Sequence, residues 1–162
     1  MSLFFDVTNA TGSRQMSGLI RVSTHLRQAL ISILGGELIA VVWHGRKGCF
    51  LDAASRKPVQ MQSTDFFLTA EVFSSRERKG FYTSLENSGV KKAAVFHDAI
   101  PYLLPEITWP RSVERHPLYM NDLLRMDHIF CVSESSRCDL QHYWKEQASE
   151  ENPSTSLVTW GA

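Results

Sequence analysis

Short apolar runs that each stop at a polar or titratable residue restrict this chain more than any other feature. Such runs lie in the candidate strands Leu3–Thr8, Glu37–His44, Ala93–Phe96, which ends at His97-Asp98, and Asp127–Val132, which Ser133 follows. Runs of this length, rich in aromatic and β-branched side chains, have the size of strands buried on both faces. Stretches of helical period lie between them. Strands alternating with helices build right-handed βαβ units and a mostly parallel sheet. The expected fold class is α/β, a single Rossmann-like domain over residues 1–162 with helices flanking the sheet.

The clearest helix follows Ser17, a plausible N-cap. From Gly18, Leu19, Val22, Leu26, Leu30 and Ile33/Leu34 fall on one face, opposite Arg21, His25, Gln28 and Ser32, and Gly35-Gly36 stops the run. The preceding Thr8–Ser17 reads as a loop. Cys49–Asp52 reads as the return strand of a hairpin, across the turn Gly45–Gly48. Lys57–Phe73 shows no clean period and reads as irregular. Glu71–Asn87 admits a helix, but Arg76-Glu77-Arg78-Lys79 and Gly80 interrupt it, and that charge run reads as a solvated face. Pro117 suits the first turn of a helix with Tyr119, Leu123 and Leu124 or Met120 facing inward. Ser133 caps a further helix whose Leu140, Tyr143 and Trp144 share a face. Ser149–Ser156 reads as a polar loop and Leu157–Trp160 as a last strand. A doubly wound domain usually continues past such a strand, so the chain reads as half of a larger arrangement.

Composition closes off several function classes. Lys+Arg and Asp+Glu both total 17, a net charge of +0, which argues against a dominant nucleic-acid footprint. Three cysteines without a CxxC pair fit a reducing cytoplasm better than a disulfide framework. The N-terminus has neither a basic n-region nor a long apolar h-region, and no run approaches the roughly 18 apolar residues of a membrane span.

Candidate chemistry concentrates where strands surface, because ligands of open α/β sheets bind outside the strands' carboxyl ends. His97 with Asp98 is either an acid/base or polarising pair, or a histidine that bonds to backbone and orders the loop before Ile100-Pro101 and Leu104-Pro105. The loop from Gly12 to Gly18 fits neither phosphate-loop fingerprint: Leu19 stands where a P-loop has lysine, and GxGxxG needs a third glycine. It remains a small-residue loop feeding a helix N-terminus, where free N–H groups favour an anion or sugar hydroxyls. The histidines and cysteines lack zinc spacing, Ser133-Glu134-Ser135-Ser136 is accounted for by capping, and no GxSxG is present.

Four segments in order carry a resemblance. SGLIRV is similar to the "TGIxRV" helix start in N-terminal domains of glycosyltransferase family 4. AVFHDAIPYLLPE resembles that family's "hxHDxIPxxxPE", DHIFCVSESSRCDL its "ADxIxxVSExSRxDL", and VTWGA its strand ending in "xxxGA". The resemblance implies the N-terminal half of a retaining GT-B enzyme, in which two Rossmann-like domains face each other across a cleft. The N-terminal domain mainly binds acceptor, and the C-terminal one, absent here, holds the nucleotide-sugar. Carried over, His97 matches a histidine near the transferred sugar. Ser17, Gly18 and Arg21 match the helix start that approaches donor phosphate and acceptor. Asp98 matches a position in the same motif, and Ser133 and Glu134 match the "SE" that lines the cleft.

The resemblance further implies no resident cofactor or metal, with the nucleotide-sugar as co-substrate. Partners would be that donor, through the missing domain, and a glycan or lipid-linked acceptor; nucleic acid is not expected. The setting is the cytoplasm, with peripheral contact at the inner membrane face as a further expectation. A rival reading is a non-catalytic binding or self-association module left by a truncated or split gene, with Trp109, Trp160, Phe73 and Phe81 as candidates for an exposed apolar wall.

Overall fold

A computed structural model describes residues 1–12, 17–149 and 151–158. The fold is α/β. Among the described residues, seven strands, β1 (Leu3–Asp6), β2 (Leu38–His44), β3 (Cys49–Asp52), β4 (Phe66–Thr69), β5 (Lys91–Phe96), β6 (His128–Cys131) and β7 (Ser154–Leu157), form one sheet in the order β3-β2-β1-β4-β5-β6-β7. The pairs β1–β2, β1–β4, β5–β6 and β6–β7 are parallel, and β2–β3 is antiparallel. The chain divides into two compact units. The first comprises Met1–Val72 with Arg78–Lys92, and the second Phe73–Glu77 with the described residues from Ala93 onward.

In the first unit, β1 takes a central place because both its faces are apolar: Phe4 and Phe5 are 4% and 0% exposed. Phe5 registers with Ala40 of β2 and Leu68 of β4. β4 lies in the stretch expected to be irregular. Phe66-Phe67-Leu68-Thr69 is only four residues long, too short to show a period, and its place beside β1 supplies the ladder that local pattern did not. The hairpin forms as expected, with Trp43 opposite Phe50. The far side of β3 is also occupied: Asp52 N–H donates to Lys57 O at 2.9 Å and Val59 N–H to Phe50 O at 3.0 Å, around a bridge from Leu51 to Pro58.

An aromatic core backs these strands. Trp43 and Phe50 have ring centroids 5.0 Å apart, Phe50 and Phe81 5.2 Å, and Phe67 and Phe81 5.7 Å, in tilted or edge-on arrangements that suit ring quadrupoles. Phe81 opens helix α3 (Phe81–Ser88), which Gly80 and Gly89 bracket at φ values of 77° and 68°. Those left-handed conformations disfavour any residue with a Cβ.

Thr8–Gly12, expected as loop, forms a short helix, α1, which begins as Thr11 N–H bonds Val7 O at 3.0 Å. Helix α2 (Gly18–Leu34) runs where the periodicity placed it. Ser17 Oγ accepts from Ile20 N–H at 3.3 Å, and the Gly35 N–H closes the far end on Ile31 O. Its apolar face is only partly covered. Ser23 is its one fully buried residue, while Leu19, Ile31 and Ile33 are 36%, 42% and 77% exposed.

In the second unit, Val95 and Phe96 of β5 register with Phe130 and Cys131 of β6, and Cys131 with Leu157 of β7. After the short helix α4 (Ile100–Leu103), helix α5 spans Pro110–Asp122, so it starts at Pro110 and carries Pro117 inside. Pro117 has no N–H to give, and its carbonyl accepts from the Tyr143 hydroxyl at 3.0 Å. Tyr119, Met120 and Leu123 face the core as the sequence implied. Helix α6 (Glu134–Glu146) buries Leu140, Tyr143 and Trp144, and the Trp144 indole donates to Met120 O at 2.8 Å. Strand β7 starts at Ser154, within the expected loop. The His128 ring sits 2.6 Å from Ser154 Oγ and 2.8 Å from Ser156 Oγ, a polar cross-strand contact that a search for apolar runs passes over. Thr159 and Trp160, and residues 13–16 of the Gly12–Gly18 loop, lie outside the described residues.

Candidate functional site

His97 lies immediately after β5 and is 9% exposed. Its backbone is fixed from α6: the buried Ser136 hydroxyl donates to His97 O at 2.6 Å. Ser136 is itself placed by the Ser133 cap, whose Oγ accepts the Ser136 N–H at 3.1 Å and lies 2.9 Å from Ser136 Oγ. The Ser133–Ser136 pairing therefore stops the end of β6, starts α6 and holds the end of β5 in one set of bonds.

Asp98 is fixed from two sides. Its Oδ1 accepts the Ile100 N–H at 3.0 Å, an Asx turn that starts α4. Its carbonyl lies 2.9 Å from His116 Nε2, and since a carbonyl can only accept, that nitrogen carries the proton. Burial holds His116 below the ordinary histidine range, so the ring is neutral near pH 7. Its Nδ1, facing inward, meets no partner among the described residues. Glu134 stands in the first turn of α6 with its carboxylate hydrogen-bonded by Arg137, which keeps it below the usual carboxylate range. Behind the corner, burial raises the Cys131 thiol to about 11, so it is an inert packing group.

A second polar centre, in the first unit, occupies the carboxyl ends of β1 and β4. Asp6 is fully buried. Its Oδ1 accepts the Thr8 N–H at 3.1 Å and hydroxyl at 2.6 Å, and its Oδ2 the Thr69 hydroxyl at 2.9 Å. Arg78, 5% exposed, gives Nη1 to Asp6 Oδ2 at 2.6 Å and Nη2 both to Asn9 Oδ1 at 2.8 Å and to the Glu71 carboxylate. Glu71 also accepts the Asn9 and Ala10 N–H groups, at 2.8 and 3.1 Å. Burial and the Asp6 charge outweigh the Arg78 charge and push the Glu71 carboxyl up to about 7. Two carboxylates thus share one guanidinium away from water. The charge run expected to be a solvated face supplies this buried arginine.

Of the residues singled out from sequence, His97, Asp98, Ser133 and Glu134 gather at one corner of the second unit. Ser17, Gly18 and Arg21 belong to the first. Ser17 is spent on capping α2, Arg21 is exposed, and a Cβ built on Gly18 would meet nothing within 4 Å. Asp6, Glu71 and Arg78 are not among those candidates. The available signal was an acidic residue directly after each of two apolar runs, Phe4-Phe5 and Phe66–Ala70. Among the described residues no group of three or more His, Cys, Asp or Glu could hold a metal ion, and no helix is long and apolar enough to cross a membrane. The chain matches no family model and no curated protein.

Proposed function

We propose that this chain is the acceptor-side domain of a retaining glycosyltransferase of family 4 type, which moves a sugar from a nucleotide-sugar to a glycan or lipid-linked acceptor. The observation that carries the reading is the build of the His97 corner. A histidine at the mouth of a buried strand has its backbone fixed by Ser136 and the following peptide fixed by His116, in the segment that resembles the family's "HDxIPxxxPE". Preorganisation of this kind suits a group that must meet a transferring sugar in one geometry. Ser133 and Glu134 adjoin the corner through the α6 cap, and Ser17, Gly18 and Arg21 stand for the helix start on the donor-phosphate side. The free thiols Cys49, Cys131 and Cys138 support a reducing, cytoplasmic setting, with contact at the inner membrane face where the acceptor is lipid-linked.

On this reading the leaving diphosphate is held by a second Rossmann-like domain, and residues 1–162 alone turn over no nucleotide-sugar. Robust turnover by this chain overturns that division of labour. In the two-domain enzyme, His97→Ala lowers kcat by about a hundredfold or more while the thermal midpoint changes little; near-normal turnover removes His97 from the site.

A second reading, a binding or self-association module, is favoured by one observation. Ile100, Leu103, Leu104, Ile107 and Trp109 are 48%, 49%, 42%, 73% and 82% exposed within ten residues of chain. Phe73 and Phe81, at 3% and 0%, belong to the core and take no part in such a wall. Sedimentation at high concentration separates the two: a clean monomer removes self-association.

A further inference from the structure

A small cavity of about 160 Å³ lies beside the end of β1. Val7, Ala10 and Thr11 line one side of it, and Ser23, Thr24 and Arg27 of α2 the other. Its polar groups divide sharply. The Thr11 hydroxyl donates to Val7 O at 3.0 Å or Thr8 O at 3.2 Å, and the Thr24 hydroxyl to Ile20 O at 2.8 Å, so both protons are spent on backbone. Ser23 Oγ and Arg27 Nε are buried and meet no partner among the described residues. Ser23 is 2% exposed, and a serine inside a helix ordinarily gives its proton to the carbonyl one turn back. Here it does not.

The cavity thus presents two donors, one of them on a cation, that meet no partner among the described residues, and its only other polar groups are the neutral Thr11 and Thr24 oxygens. A buried donor left unmade is costly, and donors to charged partners form the stronger bonds. Asp6, next to Val7 in the chain, and Glu71, which accepts the Ala10 N–H, do not fill the need. Asp6 and Glu71 are committed to Arg78, to Thr69 and to the amides of Thr8, Asn9 and Ala10. Arg27 forms no ion pair among the described residues. Among the described residues no negatively charged acceptor is matched to the Arg27 cation. The volume admits one such group and is below the roughly 300 Å³ at which drug-sized ligands begin.

We propose that this cavity binds a small oxyanion, of the phosphate or carboxylate class, through the Ser23 hydroxyl and the Arg27 Nε–H. The assignment is independent of sugar transfer and of His97, which lies in the other unit.

The test is a two-dimensional NMR titration of the full chain with inorganic phosphate, with ionic strength held constant by chloride. Saturable shifts at the Ser23, Thr24 and Arg27 amides and at the Arg27 Nε–H are expected. Arg27→Lys keeps the charge but loses the Nε donor, and Ser23→Ala loses the hydroxyl; each weakens binding by about tenfold. A nucleoside diphosphate serves as the second probe. If it saturates the same resonances more tightly, the oxyanion is the end of a larger ligand; if phosphate alone acts, the ligand is a free anion. Linear, unsaturable shifts, or binding unchanged in both variants, overturn the proposal and leave a cavity that holds water only. Should either variant fail to fold, the wild-type titration and the remaining variant decide.

Discussion

Arg78 Nη1 stands 2.6 Å from Asp6 Oδ2 across 72 residues of chain, with Asp6 wholly out of water. Removing one member of such a buried network leaves the remaining charges uncompensated, which costs more than the network contributes over an apolar replacement. Arg78→Met therefore destabilises the protein by about 3–5 kcal/mol, read as a lower urea midpoint. The triple change Arg78→Met, Asp6→Asn, Glu71→Gln recovers a large part of that loss. Equal destabilisation of single and triple variants contradicts the charge-compensation account.

Glu71 gives the same centre a pH dependence of defined sign. Its carboxyl is pushed up to about 7 in the folded state, from the ordinary 4.5 of a glutamate, so the folded state holds the proton more tightly. The associated stability is fully present below pH 4.5 and is lost as pH rises through 7, by about 3 kcal/mol. Chemical denaturation at a series of pH values should show this slope in the wild type and a flatter one in Glu71→Gln. An unchanged slope places the titration elsewhere.

These two residues also show where sequence reading stops. The period of α2 and the Ser17 cap were legible because both are local, and so was the Ser133 start of α6. Arg78 was not, since a charge run resembles a solvated face until the strands that bury its third member are in place. β4 escaped for a related reason: four residues, Phe66–Thr69, are a strand only because β1 lies alongside. Pro117 looked like a helix start when the helix had already begun at Pro110. The His97 corner was visible as a motif, but its support from Ser136 and His116 comes through side chains distant in sequence.

That support is separable from the histidine itself. Ser136→Ala deletes a hydroxyl donor to His97 O and costs about 1–3 kcal/mol of stability. If the proposed transferase reading holds, it should lower kcat with little change in KM, because it loosens placement and not binding. A loss confined to KM would instead assign Ser136 to substrate contact.

Trp109, at 82% exposure, is the cleanest handle on the apolar segment. Trp109→Ser should leave the unfolding free energy within about 0.5 kcal/mol of wild type. If the segment mediates self-association, the same change shifts the sedimentation profile toward monomer; an unaltered profile in a self-associating protein moves the contact elsewhere.

The two margins of the sheet are unequally defended. Beyond β3, residues 57–59 already take up main-chain groups of Phe50 and Asp52, and Pro58 offers no amide for a newcomer. Among the described residues β7, with Ser-Thr-Ser-Leu, has β6 as its one neighbour in the strand order, and it relies on hydroxyls and shortness for protection. Among the described residues, β7 is thus the less protected margin, and a strand from another molecule is expected to join there. Hydrophobic substitution at Ser154 or Ser156 would turn that margin into a template for aggregation.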